Sequence, residues 1–167
     1  LRTPFKEAMV DSHHRWNWAD VKRFSDRIAL GLIKLDIKRD EVVVAQLPNW
    51  AENFVLWLAL QKAGILGCFP ATTYRQVEME QVLRGLRAAA VVIPSTSERF
   101  DFMDMVQSIR PRLPNLRHVL TARGKGPEGM PSLQDFIQQP LEKQFPPDYL
   151  QKTRFKFWEV CAINLTS

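Results

Sequence analysis

The sequence predicts an α/β fold, a mainly parallel sheet with helices on both faces. Three observations predict it. Continuous apolar runs such as Val42-Val43-Val44 and Ala89 to Ile93 have the texture of strands buried on both faces. The segments between such runs place apolar residues three and four apart, the spacing of a helix face. The two patterns alternate roughly every twenty to thirty residues, as right-handed crossovers in a parallel sheet require. A chain of 167 residues is long enough for one domain with its own core. Its hydrophobic (46%) and charged (25%) fractions are those of an ordinary soluble protein.

Each element has a local reason. Ala8 to Val10 and Arg15 to Trp16 read as short strands around a turn at Asp11-Ser12-His13-His14. Asn17, with Asp20 three residues on, forms a capping box. Val21, Phe24, Ile28, Leu32 and Leu35 then give one apolar helix face. Asp36 and Asp40 flank a short connection. Glu41 to Leu47 is the first strand of the main sheet. Pro48-Asn49 ends it, and Asn49 is expected to cap the next helix with Glu52 as its reciprocal partner. Phe54 through Leu60 is apolar on every face, so that helix is expected to be buried all round. Gly64 stops it. Ile65 to Phe69 and Ala89 to Ile93 are strands, separated by a helix from about Gln76 to Arg87 with Met79, Val82, Leu83 and Leu86 inward. Phe102, Met105, Val106 and Ile109 mark a further helix, closed by Pro111, and Leu116 to Thr121 a further strand. After the loop from Gly124 to Pro131, Ser132 and Asp135 open a short helix. Pro140 to Pro147 is a proline-broken connection to a last strand over Val160 to Leu165.

Composition excludes several function classes. The longest apolar run, Phe54 to Leu60, falls far short of the roughly 18 residues of a membrane span. Leu1 to Lys6 lacks a signal-peptide core. A cytoplasmic protein without a membrane partner is expected. Cys68 and Cys161 sit in apolar runs and read as buried free thiols. Adjacent His13 and His14 would face opposite sides of a strand, which argues against a shared metal site. The net charge of +5 is concentrated in Arg110, Arg112, Arg117, Arg123 and Lys125, with no acid between them, while the other 18 basic residues match the 18 acidic ones. Prolines and glycines break this stretch and no aromatics interleave it, so a solvated loop face is expected rather than a nucleic-acid surface. There is no dinucleotide fingerprint, no Gly-Lys-Ser/Thr phosphate loop, no nucleophile elbow and no zinc spacing.

Four motifs carry a more specific reading. Gln46-Leu47-Pro48-Asn49-Trp50-Ala51-Glu52, Leu60-Gln61-Lys62-Ala63-Gly64, Tyr74-Arg75-Gln76-Val77-Glu78 and a terminal strand running into Thr166-Ser167 occur in that order. Together they resemble the N-terminal third of the adenylate-forming ligases, the acyl- and aryl-CoA synthetase superfamily. The resemblance extends from Trp16 to Ser167. It implies that residues 1–167 are the N-terminal portion of an adenylation domain, incomplete at its C-terminal end. It also implies that Thr166 and Ser167 begin the loop that binds the phosphates of ATP. Two glycines usual in the family are Asp36 and Asp40 here. No catalytic residue and no metal ligand is carried over. Arg99, after a strand end, is a candidate for CoA phosphate in a longer parent, against a solvated arginine.

The implied chemistry is ATP-dependent activation of a carboxylic acid as an acyl-adenylate, followed by transfer to a thiol. ATP, magnesium and CoA are the implied cofactors of the parent, and the small-molecule acid its partner. The Tyr74 to Glu78 stretch looks most like the branch that activates aryl acids such as 2,3-dihydroxybenzoate. The 167-residue chain alone is expected to be inactive. A terminus is usually exposed and polar, so an apolar strand ending at Ser167 suggests a domain cut short. The alternative is a non-catalytic α/β binding or scaffolding module with the same fold.

Overall fold

Two short strands open the fold. β1 (Glu7–Val10) and β2 (Arg15–Asn17) pair antiparallel, with Met9 opposite Trp16 and Val10 opposite Arg15. The computed structural model describes residues 2–97, 100–124 and 126–165. β2 runs directly into α1 (Trp18–Lys34). Asn17 Oδ1 accepts from the Asp20 N–H (2.9 Å) and Asp20 Oδ2 from the Asn17 N–H (3.2 Å), the reciprocal cap the sequence predicts.

The main sheet comprises β3 (Val42–Ala45), β4 (Leu66–Cys68), β5 (Ala90–Pro94), β6 (His118–Ala122) and β7 (Ala162–Ile163). Every neighbouring pair is parallel and the order is β6-β5-β3-β4-β7. The crossovers supply α2 (Ala51–Ala63), α3 (Gln76–Gly85) and α4 (Phe102–Ile109), and α5 (Leu133–Gln138) and α6 (Tyr149–Thr153) follow β6. Alternate strand residues point to opposite faces. Val43 and Ala45 therefore join α1, α2 and α5 in one buried cluster, while Val42 and Val44 join α3 and α4 in the other. Asp36 and Asp40 take left-handed backbone (φ 62° and 64°), which Asp tolerates better than most residues.

Three expectations are corrected. Asn49 does not cap α2. Trp50 stands at the N-cap with no side-chain hydrogen bond, and the free Ala51 N–H donates instead to Asp11 Oδ2 of the hairpin turn (3.0 Å). Nor is α2 buried all round. Val55, Leu56, Ala59 and Leu60 are buried, but Phe54 and Leu58 only partly, and Trp57 is 39% exposed. Only one face meets the sheet and α1, and a fully apolar helix leaves aromatic surface over. Finally, the last strand ladders at two residues only. It lies at the sheet edge with one neighbour, so Ala162 and Ile163 are half-buried, as is Cys161, whereas Cys68 is fully buried.

Gly31 of α1 sets the approach of α5. A Cβ there would lie 2.4 Å from the Phe136 ring. Gly31→Ala is expected to cost about 1–3 kcal/mol by overpacking, read as a lower denaturant midpoint. An unchanged midpoint would mean that Phe136 swings aside freely.

Candidate functional site

The sheet order creates a switch point. The chain leaves β3 toward the α2 face and leaves β5 toward the α4 face, so a crevice opens between the carboxyl ends of these neighbouring strands. Ligands of open α/β sheets bind at such a crevice. Here it is an open groove of about 690 Å³ lined by His13, Pro48, Trp50, Pro94, Thr96, Ser97 and Arg123. A second groove of about 390 Å³ lies against the other side of Trp50's loop, among Met9, Asn53, Phe54, Trp57 and Phe69.

Arg123 organises this edge. It follows β6 in left-handed backbone (φ 56°), and its carbonyl accepts from Ser95 Oγ (2.6 Å). Gly124 next to it (φ 133°) has no room for a Cβ, which would sit 2.4 Å from that same oxygen. The Arg123 guanidinium grips Glu52 with two donors (Nε to Oε1 3.1 Å, Nη2 to Oε2 2.9 Å) and also bonds Asp11 Oδ2. Its Nη1 meets His13 Nδ1 (3.0 Å), and its plane lies 4.1 Å from the Trp50 ring centroid. Glu52, 2% exposed, is also bonded by His14 Nε2 (2.8 Å), whose ring stacks on Trp16. Asp11 accepts from the backbone N–H groups of His13 and His14 (2.8 Å each) besides Ala51.

The electrostatics follow from these partners. Burial pushes the Glu52 carboxyl up, but Arg123 and His14 outweigh it and hold it below the usual value. Burial acts likewise on Asp11, and three backbone N–H groups with Arg123 hold it well below the usual carboxylate range. Burial lowers Arg123, and its two carboxylates more than compensate. Because every face of the guanidinium is engaged, Arg123 acts as a clamp that fixes the β1–β2 hairpin to the rim of the crevice. The groups left to meet a ligand are the Trp50 loop, the Thr96 and Ser97 side chains and the His13 ring.

Sequence reasoning missed this clamp. It placed Glu52 in a cap, Arg123 on a solvated loop face and the two histidines back to back. Instead, both imidazoles touch the same Arg123–Glu52 pair, because both lie in the expected turn over Asp11 to His14, where the facing rule for neighbours in a strand does not apply. Arg110, Arg112 and Arg117 do lie on an exposed face, each held there by a partner. Arg112 pairs with Glu80 (2.6 Å), Arg117 with Glu41 (2.6 Å), and Arg110 donates to the Arg117 carbonyl (3.1 Å). The signal that could have found the clamp was Glu52 itself, a lone acid at the head of an apolar helix. Gln46 of the first motif is fully buried, and its Nε2 donates to the carbonyls of Ala71 and Tyr74 (3.0 Å each), which ties the loop before α3 to the end of β3.

Thr166, Ser167, Arg99 and Lys125 lie outside the described residues. What is described is their approach. β7 runs parallel to β4, with Ile163 beside Cys68, so the chain leaves β7 at the same carboxyl edge as the crevice. Among the described residues no three His, Cys, Asp or Glu side chains are grouped to hold a metal, and no helix is long and apolar enough to cross a membrane.

Comparison with known proteins decides the family. The family model for AMP-binding enzymes matches residues 1–167. The chain belongs to the AMP-binding enzyme family. The chain is 30% identical over 135 residues to the 2,3-dihydroxybenzoate-AMP ligase of Bacillus subtilis, covering 81% of itself and 25% of that protein. It is 30% identical to the 2-hydroxy-7-methoxy-5-methyl-1-naphthoate–CoA ligase of Streptomyces carzinostaticus, over 72% of itself and 22% of that ligase. Among solved structures it resembles the anthranilate CoA ligase AuaEII in complex with anthranoyl-AMP, with a TM-score of 0.74, 26% identity, and coverage of 83% of this chain and 26% of that one. The chain thus spans about a quarter of the length of the relatives it matches.

Proposed function

We propose that this chain is the opening part of an ATP-dependent acid:CoA ligase whose substrate is an aryl acid of the 2,3-dihydroxybenzoate type. The observation that carries the reading is the AMP-binding family match along all 167 residues. Aryl acids named for two relatives, and the Tyr74 to Glu78 stretch, favour the aryl branch. In the proposed reaction a carboxylate oxygen attacks the α-phosphorus of ATP, and the bond to the β-phosphate breaks to release pyrophosphate. A thiol, that of CoA, then attacks the acyl carbon and AMP leaves. Thr166 and Ser167, which follow β7 in the chain, are proposed as the first phosphate ligands. Magnesium would share the phosphate charge; among the described residues no three His, Cys, Asp or Glu side chains are grouped to hold it. The described part contributes a scaffold: the clamp holds the rim of the crevice rigid, and the grooves beside Trp50 present aromatic and hydroxyl-bearing walls. Its proposed location is the cytoplasm.

The test is pyrophosphate release with ATP, magnesium and a panel of aryl and acyl acids. The complete protein is expected to turn over with aryl acids, and the 167-residue chain with none. Preorganised charge around the transferring phosphoryl group is the largest catalytic factor, and two hydroxyls cannot supply it. Acid-dependent turnover by the short chain would refute this reading. An inactive complete protein would favour the scaffolding module.

A further inference from the structure

We propose that the turn at Lys156–Glu159 docks this protein onto anionic membrane surfaces. The turn lies between α6 and β7. Because β7 is parallel to β4, the turn sits at the amino edge of the sheet, opposite the crevice. Phe157 and Trp158 occupy its two central positions, closed by the Glu159 N–H on the Lys156 carbonyl (3.0 Å). Such positions normally take Gly, Asn, Asp, Ser or Pro. Here they carry two large aromatics that are 96% and 69% exposed, in edge-to-face contact with each other (centroids 4.7 Å apart).

The tip is rigidly mounted. The Glu159 carboxylate accepts from the Lys156 N–H and is gripped by Arg39, which also donates to the Thr153 carbonyl (2.7 Å) and lies 4.9 Å from the Phe155 ring centroid. Among the described residues nothing covers the aromatic pair, and its mounting leaves little ordering to oppose binding.

The surroundings define the partner. Lys152, Arg154, Lys156, Lys38 and Arg39 converge on the recess beside the turn; Lys38 pairs with Asp36, Arg39 with Asp40 and Glu159, and Lys152 with Asp148. Among the described residues Arg154 and Lys156 make no ion pair. Trp and Phe at a water–lipid boundary, ringed by cations, fit an anionic headgroup layer. Two aromatic side chains cover far less than the ~800 Å² per partner of a stable protein interface. A convex tip also suits a deformable surface better than a preformed pocket. The expectation that no membrane partner exists rested on the lack of a spanning segment, and peripheral contact needs none.

Flotation of the complete protein with phosphatidylcholine vesicles, with and without about a third phosphatidylserine, tests this. Binding is expected only to the anionic vesicles and to weaken with salt. Replacing Lys152, Arg154 and Lys156 with Gln should weaken it about fivefold per charge. Phe157→Asn with Trp158→Gly, the residues a solvent-facing turn favours, should abolish it while leaving thermal stability unchanged. Equal binding to both vesicle types, or wild-type binding by the Phe157/Trp158 variant, would overturn the proposal. So would failure of the wild-type protein to float at all, which would leave the exposed rings to a protein partner. Acid-dependent pyrophosphate release is read independently of flotation, so failure of one leaves the other intact.

Discussion

Arg123→Ala is expected to lower stability by about 3–5 kcal/mol, the cost of leaving a buried charge without its partner. Glu52 is almost wholly buried and depends on Arg123 for two of its hydrogen bonds. Asp11 would lose the same partner, and through it the hold on the first N–H of α2 and on the hairpin turn. The charge origin of this loss has a pH signature. Glu52 and Asp11 have folded-state values depressed below the ordinary carboxylate range. Their contribution is therefore fully present above the unfolded value near pH 4.5 for Glu and fades as pH falls through the lower folded values. Arg123→Ala removes much of that depression, so its deficit against wild type should be largest near neutrality and narrow in acid, where Glu52 becomes neutral in the variant. Urea midpoints at several pH values measure this. A deficit equal at neutral and acid pH would assign the loss to the Arg123–Trp50 packing instead. The double variant Arg123→Met with Glu52→Leu should recover much of the loss, because apolar pairs of similar volume replace buried ion pairs at little cost.

The legibility of this chain in its sequence divides along a physical line. Whatever depended on local periodicity was readable. Val42 to Val44 and Ala89 to Ile93 lie in the core, and the predicted inward faces of α1, α3 and α4 lie in it or pack against it. The Asn17–Asp20 cap was readable because it is settled within a few residues, whereas the left-handed Asp36 and Asp40 were suggested by the family resemblance. What depended on contacts between distant segments was not. Arg123 and Asp11 are 112 residues apart and Arg123 and Glu52 71, and no spacing rule links them. Asn49 lost its capping role for the same reason, since Asp11 reached the helix end first. The order of motifs carried the family, yet Thr166 and Ser167 remain proposals.

The helix α2 offers the sharpest test of how a core is chosen from an apolar sequence. Every residue from Phe54 to Leu60 is apolar, so composition alone assigns them equal weight. The structure does not. Leu56 is wholly buried in the cluster that joins α1, α2 and the sheet, whereas Leu58 is only partly covered and Trp57 faces the groove beside Trp50. Leu56→Ala is expected to cost about 2–5 kcal/mol, since it removes transfer energy and leaves a cavity between packed elements that cannot both relax. Leu58→Ala should cost clearly less, because solvent already reaches its site and no closed cavity forms. Denaturant midpoints at constant slope separate the two. Equal losses would restore the helix buried on all sides that its sequence suggests. Against a total stability of about 5–15 kcal/mol, the Leu56 loss alone is a large share. The Trp57 side of α2 instead lines the second groove beside Trp50.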